Sequence, residues 1–396
     1  MNNASKGSSP FCPGQPVSQD FFIGRSKEIE RIIRDIKQVE HGKMKAVFVS
    51  GEYGIGKSSF AGFLRYYAEK NNNLLGVHVL LGGAKTLEDV AIKTVQAVLH
   101  QQTYSENRSE KICNFLADYI GNQSLFGLNI NFEALKTDAP NISSGYLPFL
   151  QELLSRSEGA KGIMLILDEI NGIADNPDFA HFIKCLVDEN ALSRKPLPIL
   201  LMLCGVEDRR SQMIRNHPSV ARIFDVVEIE PMNAKEMIEF FTKTFSSVNM
   251  QVTDEAMRIL CSYSGGLPRF MHIIGDNTFW SSEDTLVDGK DAIKGLAGAA
   301  DEIGRKFVEP QVYKALHSNI YRTILAKLAK EDFVLSFKKS AIEKGLSAAE
   351  KKTFHNFLQR MKELGVLRSG EGKGEYVFNS LLVQLYIQLK SKSNEK

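Results

Sequence analysis

The stretch Ala46-Val-Phe-Val-Ser50-Gly51-Glu-Tyr-Gly54-Ile55-Gly56-Lys57-Ser58-Ser59 decides how this chain folds. A short apolar run, rich in β-branched residues, leads into a glycine-punctuated loop that closes on Lys-Ser. The first part reads as a buried strand, and Phe60 to Glu69 behind the loop reads as a helix. The spacing Gly51-x4-Gly56-Lys57-Ser58 lets glycine-permitted backbone angles aim a row of amide N–H groups at phosphate oxygens, and the following helix adds its positive end. Gly51, Gly54, Ile55, Gly56, Lys57, Ser58 and Ser59 are therefore the expected phosphate cradle for ATP. Lys57 would reach the β- and γ-phosphates and Ser58 would ligate Mg²⁺.

Working outward, further strand signals occur at Leu75 to Leu81, Gly162 to Leu167, Pro198 to Cys204 and Asp225 to Ile229. Helical segments long enough for crossovers separate them, which predicts an α/β fold with a parallel sheet covered on both faces. The run Gly162-Ile-Met-Leu-Ile-Leu-Asp168-Glu169 ends a buried strand in two carboxylates. Phosphoryl transfer needs charge neutralisation and an aligned nucleophile, so Asp168 would hold Mg²⁺ and Glu169 would polarise the attacking water. Between the second and third strands an insertion from about Thr103 to Ser144 contains the alternating segment Leu128 to Phe132, a candidate hairpin.

After Pro231 the pattern becomes helical. Asn233 with Glu236 forms a capping-box pattern, Thr253 is placed to cap a helix through Tyr263, Gly265-Gly266 stops it, and Pro268 suits the first turn of the next. Trp280, beside Phe279, is expected in the core. From Pro310 onward come a helix over Ser318 to Ala329, a second over Lys338 to Lys344, and a third opening at Ser347 with Glu350 in capping-box register. Phe354, Phe357, Leu358, Met361 and Leu364 give the third helix one apolar face. Two short strand signals flank the turn Ser369-Gly-Glu-Gly-Lys-Gly374, which completes a winged helix-turn-helix pattern.

The 396 residues suffice for two or three domains. The expected division is an irregular, flexible arm over 1–20, a nucleotide-binding core over 21–232, a helical lid over 233–308 and a winged helix over 309–396. No apolar run approaches the roughly 18 residues of a membrane span, and the N-terminus lacks a signal-peptide core, so a cytoplasmic protein with no membrane partner is expected. Five scattered cysteines without metal-ligand spacing fit isolated thiols. Net charge is +2, but residues 310–396 hold 16 Lys/Arg against 8 Asp/Glu, so the basic excess lies in the tail.

With these motifs assembled, the chain resembles the AAA+ ATPases of the origin-recognition and initiator type, together with the related archaeal-type and signal-transducing (STAND) ATPases. Phe22-Ile23-Gly24-Arg25-x-x-Glu28-Ile29 looks like that group's N-terminal box, which implies adenine contacts at Phe22 and Ile23. Gly265-Gly266-Leu267-Pro268-Arg269 resembles its sensor-2 motif, which implies that Arg269 contacts the γ-phosphate. Arg222 occupies the place of the arginine finger that such ATPases project into a neighbouring subunit, implying a homo-oligomer with shared ATP sites. Arg209, Arg210 and Arg215 lie close by, and a solvated basic face is the alternative. The fourth strand ends in Cys204 where many relatives carry a polar sensor-1 residue. Either Glu207 or Asp208 supplies that function, or hydrolysis is slow.

Lys352, His355, Gln359 and Lys362 share the polar face of the long helix and Lys373 stands at the wing tip, so the tail is a candidate contact for double-stranded DNA. The expectation is an Mg²⁺-dependent ATP-hydrolysing switch that oligomerises and loads or regulates a partner on DNA. The alternative is a STAND-like signalling or defence ATPase that controls a separate effector protein and uses its winged helix for protein contacts.

Overall fold

The computed structural model describes residues 7–15, 22–100, 142–314, 316, 318–330, 336–364, 366–370 and 372–393. Leu128 to Phe132, most of the surrounding insertion and Cys113 lie outside these residues. By internal packing the chain divides into two compact units, residues 16–230 and residues 1–15 with 231–396.

The first unit is built on five strands: β1 (Met44–Ser50), β2 (Leu74–Leu80), β3 (Gly162–Asp168), β4 (Ile199–Gly205) and β5 (Asp225–Glu228). All pair in parallel, in the order β2-β3-β4-β1-β5. Every residue of β3 and β4 is buried, as their near-continuous aliphatic sequences require of strands covered on both faces. Helix α1 (Ser26–Glu40) precedes the sheet, and the crossovers are α2 (Lys57–Asn72), α3 (Leu87–His100), α4 (Ile142–Arg156), α5 (Pro177–Leu192) and α6 (Glu207–Asn216). Helix α1 presents Ile32, Ile36 and Val39 inward at helical spacing, and all three are fully buried. On one side of the sheet Val90, Tyr146, Leu150, Phe179, Phe182 and Ile183 close a single apolar core. Each such fully buried aliphatic or aromatic side chain contributes about 1.5–3 kcal/mol. A 3-10 turn over Pro218–Arg222 leads into β5.

The second unit holds α7 (Ala234–Ser246), α8 (Asp254–Ser264), α9 (Pro268–Ser281) and α10 (Gly289–Ile303), with a small parallel pair of β6 (Gln251–Val252) and β7 (Leu286–Val287). Its local signals act as the sequence suggests. The Asn233 and Glu236 side chains cap α7 reciprocally, Thr253 Oγ1 accepts from Ala256 N, and Gly265 ends α8 at φ +58°. Trp280 departs from expectation: it is 38% exposed, while Phe279 beside it is buried and supplies the packing. On α9 the inward rows are occupied by Phe270, Met271, Ile274 and Phe279, which leaves position 280 facing out.

A wider π-type turn over Gly304–Tyr313 leads into α11 (Asn319–Lys330), β8 (Ser336–Lys338), α12 (Lys339–Glu343), α13 (Ala348–Glu363), β9 (Leu367–Ser369), β10 (Glu375–Phe378) and α14 (Leu381–Ser393). The three strands pair antiparallel in the order β8-β10-β9. Ser347 and Glu350 cap α13 reciprocally, and Lys327 holds the Glu350 carboxylate at 2.8 Å. Phe354, Phe357, Leu358 and Met361 are fully buried and Leu364 is half-buried, while Lys352, His355 and Gln359 are exposed. Helix α14 returns to the turn after α10: Tyr386 donates to Glu309 at 2.5 Å, Lys390 pairs with the same carboxylate, and Gly304 leaves room for the Tyr386 ring.

The N-terminal segment is irregular, yet Phe11 is only 4% exposed. Its ring meets Phe245 edge-on at 4.9 Å and approaches Phe240, Phe241 and His272. A β-carbon at Gly275 would stand 2.2 Å from that ring, so the glycine forms the socket. Among the described residues no helix is long and apolar enough to cross a membrane.

Candidate active site

The loop between β1 and α2 owes its path to its glycines. Gly54 and Gly56 adopt φ of +76° and +98°, in the left-handed region that side chains disfavour. A β-carbon at Gly51 would lie 2.9 Å from the Ile229 carbonyl oxygen, so the loop hugs the end of β5. Gly56 stands at the N-cap of α2 without a side chain to occupy the first amides, which stay available to an anion together with the positive end of the helix. Ile55 is buried beneath the loop and Tyr53 projects from it, 62% exposed. Lys57 Nζ folds back to donate to the Gly51 and Glu52 carbonyls at 2.8 and 2.9 Å. Burial lowers the Lys57 pKa, and Cys204, Asp168, Glu169 and Glu52 oppose that shift. A cation carried on the first turn of α2 and held by loop carbonyls is suited to the β- and γ-phosphates of a nucleotide.

Asp168 ends β3 and is 1% exposed. Burial by itself would raise its pKa, but bonds from His78, from the Ser58 hydroxyl and from the Glu169 amide outweigh that and hold the carboxyl below its usual range. His78 Nε2 lies 3.1 Å from Oδ2 and Glu169 N donates to Oδ1 at 2.8 Å. Ser58 and Asp168 thus form a pair of hard oxygen donors, one of them anionic, and that pair fits Mg²⁺. Among the described residues no cluster of three or more His, Cys, Asp or Glu could hold a metal unaided, so the remaining ligands would be phosphate oxygens and water.

Glu169 is exposed and sits at φ +57°, a conformation its side chain disfavours. The turn is held on both sides, because Glu169 N is bonded to Asp168 and Ile170 N donates to the Cys204 carbonyl at 3.3 Å. The Glu169 carboxylate rests over Gly82, where an added β-carbon would lie 2.4 Å from Oε2. Sequence reasoning missed both His78 and Gly82. The signal for His78 was a single ionisable residue in the apolar run of β2, and the one for Gly82 was the Gly82-Gly83 pair just beyond it.

Strand β4 lies between β1 and β3, which places Cys204 between the two halves of the site. The thiol is fully buried, and burial together with nearby Asp168 pushes its pKa well up, against the pull of Lys57. It is a neutral group with little capacity to orient water. Of the two proposed substitutes, Glu207 is engaged with Arg210 at 2.6 Å and Asp208 is exposed in the first turn of α6. Asn171 is held at the end of β4 instead, its Oδ1 accepting from Val206 N at 3.3 Å.

A model of the family described as Novel STAND NTPase 1 (nSTAND1) matches residues 11–381. The chain belongs to this family. No curated protein matches the sequence. Among solved structures the chain is similar to the Walker-type ATPase PABY2304 of Pyrococcus abyssi, at 16% identity and a TM-score of 0.57, over 93% of this chain and 96% of that one. It is also similar to the ORC2 protein of Aeropyrum pernix solved as ADPNP–ADP complexes, at 14% identity and a TM-score of 0.59, over 97% and 95% of the two chains. At these identities the likeness is one of fold, that of P-loop NTPases of the ORC-like and STAND-related kind.

The remaining candidate residues of this nSTAND1 chain fall into place separately. Phe22 stacks on Phe63 of α2 with ring centroids 4.9 Å apart, so it packs beside the P-loop helix, and Ile23 is buried at 8% exposed. Ser59 follows Ser58 in the first turn of α2 and is half-buried. Arg209 pairs with Asp175, Arg210 with Glu207 and Arg215 with Gln212, whereas Arg222 is exposed at the end of its 3-10 turn. In the second unit, Gly266 passes so close to Met232 that a β-carbon would meet its carbonyl oxygen at 2.2 Å. That turn delivers Pro268 and Arg269 to the start of α9, with the Arg269 guanidinium 4.4 Å over the Phe270 ring. Lys362 is half-exposed, with Nζ 3.2 Å from Ser369 Oγ.

Proposed function

We propose that this nSTAND1 NTPase is an ATP-dependent switch that hydrolyses its nucleotide slowly. The observation that carries the reading is the convergence of Lys57, Ser58 and Asp168 beneath a glycine loop, with Glu169 exposed beside them. Mg²⁺, when bound with the nucleotide, neutralises phosphate charge. In this reading Ser58 and Asp168 hold it, Lys57 binds the β- and γ-phosphates, and Glu169 orients the attacking water. Phe22 and Ile23 border the adenine, Arg269 reads the γ-phosphate, and Arg222 completes the site of a neighbouring copy in a homo-oligomer. The neutral Cys204 at the sensor-1 position supports slow turnover. The working division is an arm over 1–20, a core over 21–232, a lid over 233–308 and a winged helix over 309–396.

The output we favour is loading or regulating a partner on double-stranded DNA, through Lys352, His355, Gln359 and Lys362 on α13 and Lys373 at the wing. A second reading, control of a separate effector protein, draws support from the family match and from α14. The bonds of Tyr386 and Lys390 to Glu309 tie that C-terminal helix to the turn after α10, a route by which lid movement reaches the winged helix. Mass measurement of the full chain in solution, with ATP alone and with ATP plus duplex DNA, tests both. ATP-dependent assembly that duplex DNA enhances supports the first reading, and ATP-dependent assembly indifferent to DNA at low salt supports the second. Unchanged nucleotide affinity in Lys57→Ala would overturn the site itself, and undiminished turnover in Glu169→Gln would remove the catalytic role.

A further inference from the structure

Arg25 occupies a place that its own backbone resists. It sits at φ +64° and ψ +25°, left-handed angles disfavoured for any residue with a β-carbon, and it is only 4% exposed. A guanidinium stays charged at any physiological pH, so drawing it out of water requires strong hydrogen-bond partners in return. Strain and burial at one residue call for a reason in what the side chain touches.

Among the atoms it touches are two backbone carbonyls from distant parts of the core. One guanidinium nitrogen lies 3.4 Å from the carbonyl oxygen of Ile55, and another donates to the carbonyl of Glu230. Ile55 is the P-loop residue between the two left-handed glycines, so the orientation of its peptide governs where the neighbouring amides point. Glu230 is the last residue of the core unit, and Pro231 begins the second. The same stretch is bound to the P-loop at two further points. Ile229 N donates to the Ser50 carbonyl at 2.8 Å, and the Ile229 carbonyl is the atom that a side chain at Gly51 would strike.

Arg25 also begins α1, where its own carbonyl accepts from Ile29 N at 2.9 Å, so the donor is carried on a rigid element. A glycine would relieve the backbone and lose the guanidinium. A lysine would keep the charge but offer one compact donor group in place of a planar fork that spans two acceptors.

We propose that Arg25 is a positioning residue that makes the P-loop and the exit of the core respond as one body, so that filling the phosphate site is felt at Glu230 and Pro231, where the second unit begins. The inference rests on reading Gly51 to Ser58 as the phosphate site. It adds to that reading the route by which nucleotide state leaves the core.

The test is amide hydrogen exchange on the full chain, with and without a saturating non-hydrolysable ATP analogue and Mg²⁺, read over residues 227–230. Binding is measured separately with a fluorescent form of the same analogue. In the unsubstituted protein the analogue should slow exchange at Ile229 and Glu230 by roughly tenfold or more, the scale set by charge-assisted hydrogen bonds. In Arg25→Gln the analogue still binds, weakened by roughly tenfold, and the slowing at these amides falls below about twofold. Arg25→Lys should be intermediate, and it carries the test if the glutamine variant fails to fold. A structural role alone would raise exchange equally in both states and preserve the ratio. A preserved ratio in either folded variant overturns the proposal. Failure of the unsubstituted protein to bind the analogue overturns the phosphate-site reading beneath it, and the two failures are distinct in the binding data.

Discussion

Gly82→Ala should slow turnover while leaving the protein folded and able to bind nucleotide. The new β-carbon would lie 2.4 Å from Glu169 Oε2, whereas ordinary van der Waals contact begins at 3.4 Å, so the carboxylate must retreat by about 1 Å. The retreat is cheap in stability. Glu169 is exposed and its carboxylate is the far end of a flexible side chain, and Gly82 does not use a left-handed φ, so the alanine adds no backbone strain. For a group that must align a water molecule, a displacement of about 1 Å costs on the order of 10² in rate. Steady-state phosphate release should therefore show kcat reduced roughly 10- to 100-fold, with nucleotide affinity within about twofold and stability within about 0.5 kcal/mol. Gly83→Ala is the control. Its φ is +80° and nothing lies within 4 Å of an added β-carbon, so it should lose about 1 kcal/mol of stability and keep its kcat. A Gly82→Ala protein with unreduced kcat, or one whose loss is matched by Gly83→Ala, would refute the placement of Glu169.

Three other perturbations probe different parts of the molecule. His78→Leu removes one of the donors to Asp168 and should raise the Mg²⁺ concentration for half-maximal nucleotide binding roughly tenfold; an unchanged Mg²⁺ titration would show that His78 plays no part. Phe11→Ala should cost the second unit about 3–5 kcal/mol in urea or thermal unfolding, and Gly275→Ala should cause a comparable loss by closing the same socket; losses under about 1 kcal/mol in both would mean that the segment is not anchored. Acidification should also destabilise this unit. Burial depresses the His272 pKa from 6.5 to about 4, so the unfolded chain takes up a proton across that window while the folded one does not. The contribution is intact above pH 6.5 and about 3 kcal/mol is lost by pH 4. Unfolding at a series of pH values should show this slope, and His272→Gln should flatten it. The neutral ring is also what lets Nδ1 accept from Cys12 N at 3.2 Å, so the same protonation loosens the hold on Phe11.

What the sequence alone determined are the features whose cause is local. Strand period, helix caps and glycine spacing act over a few residues. On that scale the five strands of the parallel sheet, the capping pairs at Asn233 and Ser347, the Thr253 cap and the P-loop conformation were legible, whereas the short strands β6, β7 and β8 were not. That a buried strand ends at Asp168, with Glu169 next in the chain, was legible as well, because a continuous aliphatic run closed by carboxylates marks its own end. Tertiary structure decided the rest, since those features depend on which strands become neighbours. The order β2-β3-β4-β1-β5 places His78 against Asp168, ninety positions away, and sets Cys204 between Lys57 and the carboxylates. No periodicity encodes that Gly82 lies beneath Glu169, that Phe11 fills a socket at Gly275 more than 250 residues on, or that Arg25 reaches Glu230. Each is a contact chosen by the global packing, in which a residue ordinary in its own segment gains its role from a partner brought to it by the sheet or the helices.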